Sequence, residues 1–185
     1  RLIRRSLEKP VYKEKLRLRS YGRADREHPV FMELKKKYRS IVYKRRLTLP
    51  YGRALDCLTG DCPWPETQIG REIGYAMDFY PDLEPRVFLS YERDSWYAPE
   101  SGLRITFDDA IRFRTADLTL DSDLWGTALL RPDQVLMELK APGAIPLWMV
   151  RLLTEMGLYK TSFSKYGTAY QILLEQEYKG GKRYA

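Results

Sequence analysis

Residues 13–19 alternate strictly: Lys13, Lys15, Arg17 and Arg19 take one parity, while Leu16 and Leu18 take the other. Successive side chains of a strand point to opposite faces, so this period of two predicts a strand with one basic and one apolar face. Residues 30–37 repeat the plan, with Glu33, Lys35 and Lys37 opposite Met32 and Leu34. A third strand is expected from about Ser40 to Leu47, setting Lys44 and Arg46 against Tyr43 and Leu47. Tyr21-Gly22 and the polar stretch to Pro29 connect the first two.

After Leu49-Pro50-Tyr51-Gly52 the pattern changes. A short helix is expected over 51–60, closed by Gly60, and a loop with two prolines follows over 61–65. Ile69, Ile73, Ala76 and Met77 then recur at helical spacing, which predicts a helix over 66–80. Strands return over 86–97 and 103–114. Val87, Leu89, Tyr91 and Arg93 share a parity in the first, and Arg104, Thr106 and Asp108 oppose Leu103, Ile105 and Phe107 in the second. A further run, 134–140, sets Leu136, Glu138 and Lys140 against Val135, Met137 and Leu139. The end reads as two helices. One spans 146–157, with Pro146 at its start, Gly157 as its stop and Leu147, Val150 and Leu153 as an apolar stripe. The other spans 164–176 and carries Tyr170, Ile172 and Leu173. Strands therefore concentrate in 11–48 and 86–140, an α+β pattern, and the 185 residues suit one domain over 1–185.

Composition adds the charge. Hydrophobic residues make up 44% and charged ones 31%, which allows a core and excludes a disordered chain. Lys and Arg outnumber Asp and Glu by 32 to 25, so the net charge of +7 points to an anionic partner: nucleic acid, phospholipid headgroups or phosphorylated small molecules. Cys57 and Cys62 fit no zinc spacing, and His28 stands alone, so the thiols read as reduced and cytoplasmic. No apolar run approaches the ~20 residues that span a bilayer, and no signal peptide is present. The start at Arg1 rather than Met points to a piece of a longer protein, so a membrane partner or anchor stays open.

The charged faces carry most of the functional reading. The apolar faces, with Leu16, Leu18, Met32, Leu34, Val135, Met137 and Leu139, need a covering layer, and the helices can supply it. The opposite faces recur from strand to strand and are selectively basic. Closed into a barrel, they would bring Arg and Lys together without enough counter-charge, a conflict that a closely charged anion resolves. Phosphoryl chains suit it, since Arg offers a planar donor fork and Lys a compact charge. Glu138, on the Lys140 face, is either a ligand for Mg²⁺ or Mn²⁺ or a salt-bridge partner. Glu33 has the same two readings, of which the structural one is favoured, and Asp108 and Asp109 read as turn or hairpin-end residues ahead of a role in assisting metal binding. Trp64, Trp96, Trp125 and Trp148 read as packing or lid residues. Nucleic acid is disfavoured, because the basic parity of 13–19 and 33–37 carries no Tyr or Trp on which bases could stack.

Six segments appear in order: Lys-Leu-Arg-Leu-Arg-Ser-Tyr-Gly (15–22), Val-Phe-Met-Glu-Leu-Lys-Lys-Lys (30–37), Tyr-Glu-Arg (91–93), Leu-Arg-Ile-Thr-Phe-Asp (103–108), Val-Leu-Met-Glu-Leu-Lys (135–140) and Ser-Phe-Ser-Lys-Tyr-Gly (162–167). Together they resemble the VTC domain, a polyphosphate polymerase branch of the triphosphate tunnel (CYTH-like) metalloenzymes. The resemblance implies an antiparallel β-barrel, the triphosphate tunnel fold, with helices packed outside and a first strand lying before Arg1. It implies transfer of phosphate from ATP or another nucleoside triphosphate onto polyphosphate or pyrophosphate, with Mn²⁺ or Mg²⁺ as cofactor. Arg17 and Arg19 match the family's basic pair, Lys35 the lysine after the strand glutamate, and Lys44 the basic residue of the next strand. Arg93 and Arg104 match the arginines of the central hairpin, and Lys165 the lysine near the tunnel mouth. Glu138 matches the metal-binding glutamate, and Lys140 beside it joins the phosphate binders. Two alternatives stay open on the same fold: a tri- or polyphosphatase, and a polyphosphate or inositol-phosphate binding module without turnover.

Overall fold

A computed structural model describes residues 11–39 and 41–181, with side chains as far as residue 175. The chain divides into two compact units, one holding the described residues to 88 together with 115–123, the other 89–114 and the residues from 124 on.

In the first unit β1 (Tyr12–Arg19), β2 (Pro29–Tyr38) and β3 (Ile41–Pro50) form an antiparallel sheet in that order. Ser40, where the third strand was expected to begin, lies outside the described residues. Two helices follow, α1 (Tyr51–Thr59) and α2 (Gln68–Phe79). Met32 and Leu34 of β2 are buried with Ile73 and Ala76 of α2, and Leu16, Leu18 and Leu47 pack around them. The apolar parity of the sheet is thus covered as expected, each fully buried large side chain contributing about 1.5–3 kcal/mol. A second cluster joins Ala24, Val30, Leu49, Tyr51 and Ala54, and Trp64 packs against both. Thr67 caps α2 by accepting from the Gly70 amide at 3.0 Å. Gly70 must stay bare, because a Cβ there would sit 2.0 Å from the Pro65 carbonyl oxygen.

Glu14 shares the apolar parity of β1 and is buried, so its charge needs partners. The Tyr12 and Tyr80 hydroxyls donate to it at 2.5 and 2.7 Å, and Lys36 Nζ lies 3.5 Å away. Residues 115–123 complete this unit. The Ala24 amide donates to the Leu120 carbonyl, and the Leu120 amide to the Tyr51 hydroxyl, both at 3.0 Å.

The second unit is built on β5 (Leu103–Arg114). It pairs with β4 (Phe88–Ala98), whose first residue counts with the first unit, and at separate stretches with β6 (Thr127–Ala128) and β7 (Leu136–Lys140). Helices α3 (Leu147–Glu155) and α4 (Lys165–Gly181) follow. Ala110 breaks the alternation of β5 with a left-handed φ of 44°. Thr106 and Asp108 are buried before it, Ile111 and Phe113 after it, so burial changes parity there, the behaviour of a bulged strand.

Two expectations are corrected. The apolar stripe assigned to α3 is not its buried face: Met149 is buried, while Leu147 and Val150 are 73% and 43% exposed. Apart from Arg151 the helix is apolar nearly all round through Leu153, so periodicity could not select a side. Val135, expected under cover, is 54% exposed, lying just before β7 begins. Among the described residues the strands form two antiparallel sheets beside four helices, and no closed barrel is detected.

Candidate functional site

Strand register arranges the basic parity of the first unit into rows. Lys15, Lys35 and Lys44 lie directly opposite one another across β1, β2 and β3. The next row is Arg17, Glu33 and Arg46. Glu33 is 1% exposed at the centre of this face. It accepts from Arg17 Nε, from Lys44 Nζ at 2.8 Å and from Arg46 Nε at 2.8 Å, with Arg19 Nη2 at 3.7 Å. Burial alone would raise its pKa, but hydrogen bonds from Lys44, Arg46 and Arg17 bring it down to about 2. One carboxylate thus faces four cations, and Lys15 and Lys35 add two more on the same face. Lys15 feels the excess. Burial depresses the Lys15 pKa, and the charges of Lys13, Lys35 and Arg17 depress it further.

In the second unit the organising carboxylate is Asp108. The turn or hairpin-end role expected for it is corrected: Asp108 lies within β5 and is fully buried. Arg93 Nη2 donates to it at 2.7 Å, and Lys165 Nζ also bonds it. Burial would raise its pKa, but hydrogen bonds from Arg93 and Lys165 lower it. Both cations also lie over the Tyr91 ring, at 5.1 and 4.6 Å from its centroid. The β5–β7 register sets Asp108 opposite Leu136, Thr106 opposite Glu138, and Arg104 opposite Lys140. These residues therefore share a face, and Lys140 Nζ is 3.1 Å from Glu138 Oε1.

The residues read from the sequence thus fall into two groups. Arg17, Arg19, Lys35 and Lys44 share the Glu33 face of the first unit. Arg93, Arg104, Glu138, Lys140 and Lys165 belong to the second, gathered by Asp108 and the β5–β7 pairing. Sequence reasoning passed over Lys15 and Arg46 as site residues, although both share the basic parity of their strands. It also passed over Asp108 as an anchor, whose signal was its parity with Arg104.

The candidate metal ligand can be judged by its chemistry. Among the described residues no cluster of three or more His, Cys, Asp or Glu could cage a cation. Asp108 is committed to Arg93 and Lys165. Glu138 is accessible, and a single carboxylate suits Mg²⁺ or Mn²⁺, which take one or two carboxylates and complete their shell with water and phosphate oxygens.

The VTC domain family model matches residues 1–174, nearly the whole chain. This is consistent with a polyphosphate-related function. No curated protein matches the chain.

Proposed function

The chain belongs to the VTC domain family, and on that premise we propose that it is a polyphosphate polymerase that moves the terminal phosphate of ATP onto a growing polyphosphate chain. The observation that carries this reading is the Lys15–Lys35–Lys44 row beside Arg17, Glu33 and Arg46. Like charges directly opposite on a sheet repel, and an anion with closely spaced charges turns that repulsion into binding. Glu33 fixes the arginines but neutralises only part of the face. The closed barrel implied by the resemblance belongs to this reading, with the basic parity of the strands as its lining.

Phosphoryl transfer asks for positioning and charge stabilisation rather than a protein nucleophile. An oxygen of the polyphosphate end attacks the γ-phosphorus of ATP, the bond to the β–γ bridging oxygen breaks, and ADP leaves. Arg17, Arg19, Lys35 and Lys44 hold phosphate oxygens from the first unit. Arg93, Arg104, Lys140 and Lys165 do so from the second, where Tyr91 and Asp108 keep Arg93 and Lys165 in place. Glu138 would hold Mn²⁺ or Mg²⁺, which supplies charge neutralisation at the phosphate oxygens. The free thiols Cys57 and Cys62 suit a reducing, cytoplasmic setting.

Incubating the intact protein with ATP and Mn²⁺ or Mg²⁺ should yield long polyphosphate on a gel. Glu138→Ala should abolish turnover while metal-free tripolyphosphate binding survives. Orthophosphate as the only product would replace the polymerase with a hydrolase. Binding without either product would leave a non-catalytic module.

A further inference from the structure

Among the described residues Thr106 Oγ1 is the single buried side-chain oxygen or nitrogen without a hydrogen-bond partner. Buried polar groups are almost always paired, so an orphan asks for a reason. Thr106 is 5% exposed and lies within β5, two residues from Arg104 and two from Asp108. Its register partner is Glu138. Asp108 is engaged by Arg93 and Lys165, and neither it nor Glu138 hydrogen-bonds the Thr106 hydroxyl. The hydroxyl therefore sits, unused, between the Arg104–Lys140 pair and the Asp108 anchor.

We propose that Thr106 is a phosphate-binding residue, its hydroxyl donating to a phosphoryl oxygen held by Arg104 and Lys140. This rests on the phosphate-binding reading above and adds a neutral donor to it. Arg104 and Lys140 already stand directly opposite each other, so a further cation would add repulsion. A hydroxyl adds a directed hydrogen bond without charge. A hydroxyl already bonded to protein would have to give up that bond to bind phosphate, and the Thr106 hydroxyl has none to give up.

The test is calorimetric titration of the whole chain with tripolyphosphate in the absence of metal, at low and at high salt. Thr106→Val should bind about tenfold more weakly, the size expected for one lost hydrogen bond to a charged group. The loss should be similar at both salt concentrations, because the lost contact carries no net charge, whereas the loss on Lys140→Met should shrink as salt rises. Thr106→Ser should bind within about twofold of the parent, since it keeps the donor. Thr106→Val should also melt at or above the parent temperature, because it is isosteric and removes an unpaired polar atom. Unchanged affinity in Thr106→Val would overturn the proposal. So would a melting point several degrees lower, which would mean that the hydroxyl serves the fold. If the parent chain binds no tripolyphosphate, the phosphate-site reading falls and takes this with it. If it binds but makes no polymer, only the polymerase reading falls, and the affinities of the variants still decide the role of Thr106.

Discussion

With Arg17, Lys44 and Arg46 bonded to it, Glu33 stays ionised far into acid, its pKa near 2 against an ordinary 4.5. A carboxylate held below its unfolded value contributes its full stabilisation above about pH 4.5 and loses it as the pH falls towards 2. Acid titration of the melting temperature should therefore fall across that window, and the fall should be shallower in Glu33→Gln. At neutral pH that variant should be less stable by roughly 2 kcal/mol, below the value for a fully buried pair because its cations are partly exposed. Lys35 should behave in the opposite way. It lies between Lys15 and Lys44, and among the described residues no carboxylate lies within ion-pair distance of it. Lys35→Met should therefore keep or raise the melting temperature while weakening tripolyphosphate binding, which thermal denaturation and calorimetry on one sample would check. A drop in both would mean that Lys35 serves the fold instead.

At the scale of the element, alternation was the most legible signal. Leu16, Met32 and Leu34 face the helical cover and Arg17, Glu33 and Lys35 the other side, because a one-residue shift would bury the lysines. Partners were not legible. Nothing in residues 103–108 says that Arg104 meets Lys140, or that Lys165, 57 residues beyond Asp108, bonds it, since pairing over such distances is decided by tertiary packing. The parity change in β5 was hidden for a different reason. Ala carries no turn signal, so its left-handed backbone at Ala110 is imposed by the strands around it. That conformation costs an L-residue free energy that glycine escapes. Ala110→Gly should raise stability by about 0.5 kcal/mol after glycine's larger entropy loss, and Ala110→Val should lower it, both measurable by denaturant titration. A stabilising valine would show the bulge to be wrongly placed.

For the whole molecule, composition announced an excess of positive charge but not its distribution. Each unit has its own buried carboxylate, Glu33 or Asp108, with cations bonded to it. These anchors answer part of the charge conflict that alternation exposed, a role that strand parity alone does not reveal. The division into units was not legible either, because the segment 115–123 returns to the first unit from a strand of the second. This excursion has a consequence for the order of synthesis. A nascent chain that has reached residue 88 has all of the first sheet and both of its helices, yet it lacks the Leu120 carbonyl for the Ala24 amide and the Leu120 amide for the Tyr51 hydroxyl. Truncation after residue 114 should leave the first unit measurably less protected in amide exchange at Ala24 than it is in the whole chain. On the ribosome the early half must then wait, unfinished, until the later half has been partly made.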